Sequence, residues 1–516
     1  MTTEASEQRL SLSLGRTDRG TEFFETQLAQ LSDEELSAPS RLPGWTRLYV
    51  VSHMARNARA LMNLLRWSRR GRPVAQRRSE LKNRNAQRGR AKRGTMRTLK
   101  IARLWGVVMA MSVALVVVTG GSGALAGAAA STAGPINIVT YGDITGLPPT
   151  VEHQFQDGVV AAVDAFNASG GVQGRRIHLI TCDTKSSATF AAACVANAKS
   201  EGVVAAIPSI SLIDNVTTPL LENQGIPLLG SDPSTPQALF SKTSACFVPG
   251  PFVDYPALVN AMSKAGAKSL SATDALGVAG ENVLEGGTGI EAKAVGATVH
   301  AWVTVSPIAA LASIAAQATQ AGEDGFMASY AGPGLDALIS AALQAKPGLK
   351  LGGPAYIVQG GPSVDAPLVQ IPGAKGMIIS SYTALPTDGS VPAVRLFHKE
   401  INKVNATDDY SEVAFVTWVD GYGATQILKS MTGPINAKTI TTALQRTTNL
   451  NLLGAVPNWS YKYDSLGLGC VVDPTEYSGV LTNANGVVAL NHDKPTFTLP
   501  PSVIKYYKAN QSGLQG

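Results

Sequence analysis

Short apolar segments alternate with amphipathic segments from about residue 135 onward, and this alternation constrains the fold more than any other feature. The first apolar segment, INIVTYGDITG, ends in Gly, Asp and Thr, and the helical pattern FQDGVVAAVDAFNAS follows it. RIHLITCD, VVAAIPS and IPLLGS continue the series, separated by helical stretches. Apolar strands that alternate with helices predict a parallel sheet covered by helices on both faces.

The same alternation resumes after the stretch PGPFVDYPALVNAMSKAGAKSLSATDA. Further strands are predicted in ATVHAWVTV, GFMASYAG, GPAYIVQ and GMIISSY. One doubly wound sheet of this length would be unusually large, so two lobes of similar architecture are favoured. The expected fold class is therefore α/β, with two Rossmann-like lobes in residues 131–516.

A hydrophobic segment at residues 96–130 precedes this region. It has a basic start (MRTLKIAR), an apolar centre (GVVMAMSVALVVV) and a small-residue tail with an AxA cleavage site at residues 128–130. These three parts predict a secretory signal peptide. The alternatives are an uncleaved membrane anchor and a buried core helix, although the 15-residue run from Leu104 to Val118 is shorter than the ~20 residues that span a bilayer. Met96 is then a candidate translation start, and we expect an extracytoplasmic product, secreted or held by this segment.

The positive charge of the chain is concentrated next to this segment. Residues 66–103 hold 15 Lys/Arg and one acidic residue, whereas residues 104–516 hold 21 Lys/Arg and 28 Asp/Glu. A nucleic-acid-binding protein spreads its basic residues over a folded face, but basic residues beside a hydrophobic segment are typical of its cytoplasmic flank. We therefore interpret residues 72–95 as a basic linker and expect no nucleic-acid partner.

All four cysteines follow the hydrophobic segment. An even number of cysteines in the exported part predicts disulfides formed in an oxidising compartment. Cys182 and Cys194 are close enough in sequence to close a small loop, which leaves Cys246 to pair with Cys470 by elimination. The spacing fits no zinc motif, because there is no CxxC and no nearby His cluster.

The N-terminal part, residues 1–71, has a helical pattern followed by LPGWT, His53 and an ARNA tract. These features resemble the N-terminal part of the mycothiol-dependent maleylpyruvate isomerase family, a DinB-like metal-binding domain. In that family a His at the position of His53 is a metal ligand, together with later His and acidic residues. Here Glu80 is the only acidic residue between His53 and Asp143, and one imidazole does not make a site for a divalent metal. We expect a truncated helical fragment with no bound metal.

Four stretches of the C-terminal region carry a second resemblance: INIVTYGDITG, DGVVAAVDAFNASGGVQGRRIHLITCDTKSS, VVAAIPSIS and GIPLLGSDPSTPQALF. They are similar to the type I periplasmic leucine/isoleucine/valine-binding family, the substrate-binding proteins of ABC importers. The resemblance covers residues 135–500 and implies two lobes joined by three hinge crossovers. It assigns residues 135–253 and 382–465 to lobe one and the remainder to lobe two.

The resemblance also implies where a solute binds. Hydroxyl and backbone N–H groups in the loops after VVAAIPS and IPLLGS are expected to hold a carboxylate, unless they are ordinary caps and turns. Ala355 stands where family members specific for α-amino acids have a Glu for the ammonium, so either Asp143 supplies that charge or the solute has no amine. The candidate ligand-binding residues are Ser211 (with Leu212 as its alternative), Pro233, Ser234, Thr235, Tyr330 and Tyr356.

Catalytic motifs do not accompany these features. The sequence has no GxSxG and no HExxH, and its six histidines are scattered. We therefore predict a monomeric solute-binding protein of an ABC importer that is not an enzyme, has no cofactor, and delivers a small amino-acid-like or organic solute to a membrane permease. The alternatives are a metal-dependent mycothiol-type isomerase or transferase and a membrane-anchored ligand-sensing ectodomain.

Overall fold

The computed structural model divides the chain into two units, Met1–Ser122 and Gly123–Gly516, and every residue that it describes lies in the second. The described residues are 134–145, 153–233, 235–274, 281–304, 315–316, 319, 322–328, 335–355, 371, 373–408, 411–483, 486–490 and 494–510. The predicted helical fragment, basic linker and hydrophobic segment lie outside them, as do three candidate site residues, Ser234, Tyr330 and Tyr356.

Lobe one contains the first sheet, in which strands and helices alternate as predicted. The bounds are β1 Ile136–Gly142, α1 Gln154–Ala168, β2 Ile177–Asp183, α2 Ala188–Ser200, β3 Ala205–Ala206, α3 Asp214–Glu222, β4 Leu228–Leu229, α4 Pro236–Leu239 and β5 Ser244–Ala245. The strands are parallel and lie in the order β2-β1-β3-β4-β5. Nearly every residue of β1 is buried, as expected for an inner strand with helices on both faces.

Lobe two contains the second sheet. Its elements are α5 Pro251–Lys264, β6 Ser269–Asp274, α6 Glu281–Ala294, β7 Thr298–Thr304, β8 Gly325–Met327, α7 Leu335–Ala345, β9 Lys350–Pro354, β10 Ile378–Ser381, β11 Thr475–Asn483, β12 Gly486–Ala489, β13 Phe497–Thr498 and α11 Pro501–Ala509. The order is β12-β11-β10-β9-β8-β6-β7, and β13 pairs with β11. Strands β6 to β10 are parallel, whereas β11 is antiparallel to its neighbours.

Strand β9 lies earlier than predicted. The predicted strand GPAYIVQ overlaps it only at Gly353 and Pro354, because β9 begins at Lys350 and includes the glycine pair that resembles a turn signal. Gly352 has a packing role, because a Cβ at this position would overlap the sulfur of Met262 in α5. Glycine here allows the helix to approach the sheet closely.

The chain returns to lobe one between β10 and β11. The elements of this return are α8 Pro392–Ile401, a 3₁₀ helix at Ala406–Asp408, α9 Glu412–Ser430 and α10 Ala437–Arg446. Helix α9 packs on α1, and a Cβ at Gly158 of α1 would overlap the carbonyl oxygen of Ala414. Buried residues of α9 such as Trp418 share one core with Ile138 of β1. The chain thus passes between the sheets three times, and the two-lobed fold with hinge crossovers is confirmed.

Both predicted disulfides are present. Cys182–Cys194 joins β2 to α2 with a Cα–Cα distance of 5.7 Å. Cys246–Cys470 joins the crossover after β5 to the crossover before β11, with a Cα–Cα distance of 5.2 Å. The second bridge therefore links two of the three hinge segments. Among the described residues, no helix combines the length and the apolar character needed to cross a membrane.

Candidate functional site

The parallel strands of the two sheets have the same topology. The order is β2-β1-β3-β4-β5 in lobe one and β7-β6-β8-β9-β10 in lobe two, so the first strand lies inside the sheet in both cases. In such sheets the connections on the two sides of the first strand diverge and open a crevice beyond the carboxyl ends of the strands. The candidate site therefore lies beyond β1 and β3 in lobe one. In lobe two, the segments after β6 and β8, residues 275–280 and 329–334, lie outside the described residues.

Asp143 follows β1 at this crevice and is fully buried. Its Oδ1 accepts hydrogen bonds from Thr184 Oγ1 at 2.5 Å, from the Ser186 N–H at 2.8 Å and from Ser211 Oγ at 3.4 Å. Its Oδ2 accepts one from the Leu212 N–H at 2.7 Å. The carboxylate thus joins the loops after β1, β2 and β3. Asp143 positions these loops, and its four donors leave it poorly suited to the alternative role of partner for a solute ammonium.

Two serine hydroxyls in the loop after β3 differ in their partners. Ser211 is buried, donates to Asp143 and accepts a hydrogen bond from the Ile213 N–H at 3.4 Å. Ser209 is also buried, but its Oγ has no hydrogen-bond partner. A buried polar group without a partner is rare in native proteins. Ser209, which was not among the candidate residues from the sequence, is therefore the hydroxyl in this loop that lacks a partner within the described part of the chain.

The loop after β4 presents a second hydroxyl of this kind. Thr235 directly precedes α4 and is only 1% exposed, and its Oγ1 has no hydrogen-bond partner. Pro233 is buried in the same loop. Strands β3 and β4 are neighbours in the sheet, so Ser209 and Thr235 lie beyond the same sheet edge. The binding roles of Ser211, Pro233 and Thr235 stay predictions.

Three buried carboxyl groups lie close to the crossovers between the lobes. Asp232 is in the loop after β4, Asp254 in the first turn of α5 and Asp420 in the middle of α9, and all three are at most 7% exposed. Asp232 Oδ2 accepts a hydrogen bond from the hydroxyl of Tyr382 at 3.1 Å, but its Oδ1 has no partner. Asp254 Oδ1 accepts a hydrogen bond from Ser380 Oγ.

Burial raises the pKa of all three carboxyl groups. It raises the pKa of Asp232 to about 6, against the opposing hydrogen bond from Tyr382. It raises the pKa of Asp254 to about 7, where the Ser380 hydrogen bond opposes the shift and the charge of Asp232 adds to it. The pKa of Asp420 is raised by burial first and by the charge of Asp232 second. In the described part of the chain, no Lys or Arg forms a salt bridge with these groups.

Glu476 of β11 adds a carboxyl group from lobe two. It is fully buried, and neither of its carboxyl oxygens has a hydrogen-bond partner. Burial raises its pKa well above the ordinary value, and the charges of Asp254 and Glu412 add to the shift. We call Asp232, Asp254, Asp420 and Glu476 the hinge acid cluster. Sequence reasoning missed it, although the isolated acid in the apolar stretch FVDYPALV was a usable signal.

Lobe two gives one further result. Ala355, at the position where the resemblance implies a Glu in amino-acid-binding members, is fully buried and shares a core with Phe326 and Ile379. The side chain at this position is a core methyl group and provides no charge.

The family follows from the sequence that builds these lobes. A family model described as periplasmic binding protein matches residues 135–464, which is more than half of the chain. The chain belongs to the periplasmic binding protein family. A second model, the mycothiol maleylpyruvate isomerase N-terminal domain, matches residues 17–111, in agreement with the N-terminal resemblance. No curated protein matches the chain significantly.

Solved structures of other periplasmic binding proteins share the fold. A substrate-binding protein of an ABC transporter from Aeropyrum pernix is 16% identical, with a TM-score of 0.61 over 73% of this chain and 99% of that chain. A solute-binding protein from R. palustris in complex with benzoate is 18% identical, with a TM-score of 0.55 over 71% and 98%. A leucine-, isoleucine-, valine-, threonine- and alanine-binding protein from Brucella ovis, in a closed conformation, is 16% identical, with a TM-score of 0.58 over 71% and 98%. At these identities the likeness establishes the fold alone.

Proposed function

We propose that the chain binds a small organic carboxylate in the cleft between its lobes and delivers it to the permease of an ABC importer. The observation that carries this proposal is the pair of buried hydroxyls, Ser209 and Thr235, which lack hydrogen-bond partners at the ends of neighbouring strands. Hydroxyl groups form short, strong hydrogen bonds to carboxylate oxygens. A bound carboxylate would therefore supply the partners that both hydroxyls lack.

The residues that could pair with an ammonium group of the solute indicate which class of solute fits the cleft. Ala355 is an apolar core residue, and the carboxylate of Asp143 already accepts four hydrogen bonds. An ammonium group in a closed cleft without a carboxylate partner would be strongly unfavourable. We therefore propose a carboxylate without an α-amine, such as an aromatic acid. The R. palustris relative bound to benzoate is consistent with this class.

An α-amino acid is the second candidate. The observation that favours it is the buried Oδ1 of Asp232, which has no hydrogen-bond partner and lies in the same loop as Thr235. The Brucella ovis relative is named for its binding of leucine and other amino acids. In this second case Asp232 would hold the ammonium group in place of the missing Glu.

Lobe closure is the proposed mechanism of delivery. A solute that contacts both lobes only in the closed form shifts the population toward that form, which the permease then recognises. We propose that Ser211 and Pro233 shape the lobe-one side of the cleft beside Ser234. Tyr330 and Tyr356 are the proposed contacts from lobe two.

We also propose the layout of the remaining chain. Residues 1–71 form a helical fragment, 72–95 a basic linker, 96–130 a signal peptide or membrane anchor, and 131–516 a monomeric binding domain outside the cytoplasm. Sequencing the N-terminus of the exported protein tests this layout. A mature start within residues 129–135 supports cleavage, and a start at Met1 supports an uncleaved anchor.

A matched pair of ligands tests the solute class. Leucine and 4-methylpentanoate differ only by the α-amine, and thermal unfolding of the full chain is followed with each ligand and with benzoate and 4-hydroxybenzoate. A ligand at about 100 times its Kd stabilises the protein by roughly 2.7 kcal/mol. We expect stabilisation by one or more of the amine-free acids and not by leucine. Stabilisation by leucine alone favours the second candidate, and stabilisation by none of the four contradicts both.

Variants then connect the solute to the two hydroxyls. Ser209→Ala or Thr235→Ala is expected to weaken binding about tenfold, because each removes one hydrogen bond to a charged group. Thr442→Ala in α10 is the matched control, since its hydroxyl bonds only to the Lys438 carbonyl oxygen within its own helix. Unchanged affinity in both cleft variants would contradict the proposed site.

A further inference from the structure

We propose that His153, Asp157 and Asp408 form a binding site for a divalent cation of the zinc class in lobe one. His153 directly precedes α1, Asp157 lies one turn later on the same helix face, and Asp408 ends the 3₁₀ helix before α9. Each of the three side chains offers one donor atom, and these atoms all lie within 4.8 Å of one another. This site is separate from the solute-binding proposal.

The spacing of the donor atoms fits a tetrahedral metal site. Nδ1 of His153 lies 3.2 Å from Oδ2 of Asp157 and 3.3 Å from Oδ2 of Asp408. Zinc binds imidazole nitrogen and carboxylate oxygen at about 2.0–2.2 Å, so two ligand atoms of a tetrahedral site are separated by roughly 3.3–3.5 Å. The two separations in the structure, 3.2 and 3.3 Å, are close to this range.

Asp408 provides the second, independent observation. Its side chain is fully buried, and among the described residues neither of its carboxyl oxygens accepts a well-formed hydrogen bond; Oδ2 has only the 3.3 Å approach to Nδ1 of His153. Two adjacent carboxylates repel each other unless a proton or a cation lies between them. A divalent cation would neutralise both and give the buried oxygens a partner.

Asn405 supports the ligands without being one. Its amide nitrogen lies 3.0 Å from Nδ1 of His153 and 3.3 Å from Oδ2 of Asp157, and its amide oxygen accepts hydrogen bonds from the backbone N–H and the hydroxyl of Thr407. The amide nitrogen is thereby fixed as a donor that faces both His153 and Asp157. With a cation on Nδ1 it would donate to the Asp157 carboxylate alone and hold that ligand in place, as is usual for groups that surround metal ligands. Three protein donors leave a fourth position for water.

The donor set selects the class of cation. One imidazole nitrogen with two carboxylate oxygens suits zinc and neighbouring transition metals, whereas magnesium and calcium prefer oxygen ligands throughout. A bound cation would fasten the start of α1 to the segment before α9. These are the two helices in contact at Gly158, so the expected consequence is greater stability of lobe one.

The competing explanation is that His153 is protonated and forms ion pairs with the two carboxylates. The stability of the variants in the absence of metal distinguishes this explanation from the metal site. In EDTA, removal of an imidazolium ion pair would destabilise the protein in both His153→Ala and Asp408→Asn. The proposed site predicts instead that Asp408→Asn is as stable as the wild type or more stable in EDTA, because the substitution removes a buried carboxylate that lacks hydrogen bonds.

Zinc binding by the full chain is the direct test. The EDTA-treated, dialysed protein is titrated with ZnCl₂, and bound zinc and thermal unfolding are measured for the wild type and four variants. His153→Ala and Asp408→Asn should each weaken zinc affinity at this site by more than about 100-fold. This is more than the loss expected when a residue that only supports a ligand is removed. Two histidine variants are controls. His178→Ala changes an exposed position of β2, and His53→Ala controls for zinc bound by the N-terminal fragment. Both should still bind one equivalent of zinc at the proposed site and should show the same zinc-dependent rise in Tm as the wild type.

Two results would overturn the proposal: wild-type protein that binds no zinc at micromolar concentrations, or zinc binding that His153→Ala leaves unchanged. The side chain of His153 is 48% exposed, so its alanine variant keeps the test decisive even where Asp408→Asn does not fold.

Discussion

Asp143 and the hinge acid cluster are buried acidic groups in very different surroundings. Asp143 accepts four hydrogen bonds from three loops. Asp232 accepts one side-chain hydrogen bond, from Tyr382, and the oxygens of Glu476 accept none. Burial disfavours a charged carboxylate unless donors compensate for the lost water. The number of donors, rather than the depth of burial, therefore distinguishes Asp143, which joins the loops around it, from carboxyl groups whose pKa is raised by burial.

The largest expected effect is at the well-paired group. Asp143→Asn places an amide NH₂ against donors that now point at a carboxylate oxygen, so we expect a loss of at least about 3 kcal/mol in unfolding free energy. Solute affinity should fall as well, because the loop after β3 is no longer held. Urea unfolding and ligand titration measure the two effects.

Asp324→Asn is the matched control for this prediction. Asp324 also accepts backbone hydrogen bonds, from the N–H groups of Lys268 and Ser269, but it is partly exposed and lies in lobe two. Its loss should be about 1 kcal/mol with unchanged solute affinity. Equal losses of stability at the two positions would mean that Asp143 does not have the proposed organising role.

The next effect is the pH dependence of stability at Asp254. Its folded-state pKa is raised from 3.8 to about 7 by burial, so the folded state binds a proton that the unfolded state releases. Asp254 therefore makes its whole contribution to the unfolding free energy below pH 3.8. This contribution decreases as the pH rises to about 7, by up to about 4 kcal/mol. Asp254→Asn should flatten this slope and should be the more stable protein at pH 8.

Urea unfolding between pH 4 and pH 9 checks this slope, and Glu201→Gln at an exposed position controls for the removal of one negative charge. A slope in Asp254→Asn equal to that of the wild type would show that Asp254 does not hold a proton in the folded state.

A smaller effect is expected at the hydrogen bond between Tyr382 and Asp232. Tyr382→Phe removes the hydroxyl that donates a hydrogen bond to Asp232 and should cost about 1 kcal/mol or somewhat more at pH 8, where the carboxylate is charged. At pH 5, below its folded-state pKa of about 6, Asp232 is mostly protonated and the loss should be smaller. Thermal unfolding at the two pH values measures the difference, and a loss that is larger at pH 5 would contradict the assignment of charge.

The smallest stability effect is expected at the unpaired hydroxyls. Ser209→Ala and Thr235→Ala remove buried groups that have no hydrogen-bond partner, so their unfolding free energy should stay within about 0.5–1 kcal/mol of the wild type or rise slightly. Chemical denaturation without ligand measures this effect. A loss above about 2 kcal/mol in either variant would show that its hydroxyl has a structural partner in the unliganded protein.

The sequence was informative where a pattern repeats along the chain. Alternating apolar and helical segments predicted both sheets, and the four cysteines that follow the hydrophobic segment predicted both disulfides. It was uninformative where single residues from distant segments meet. Asp232, Asp254, Asp420 and Glu476 are each isolated in sequence, and only the crossovers bring them together. The donors of Asp143 are likewise groups that lie 41 to 69 residues away, two of them backbone N–H groups that no side-chain pattern reveals.

Hydrogen–deuterium exchange of the full chain with and without its solute tests most directly whether binding occurs at the strand ends of lobe one. We expect a stabilising carboxylate to slow exchange in the segments that follow β3 and β4, at residues 207–213 and 231–239. Helix α10, which contributes no residue to either loop, serves as an internal reference and should exchange at an unchanged rate. Protection confined to other parts of the chain, with both loops unchanged, would contradict the proposed site.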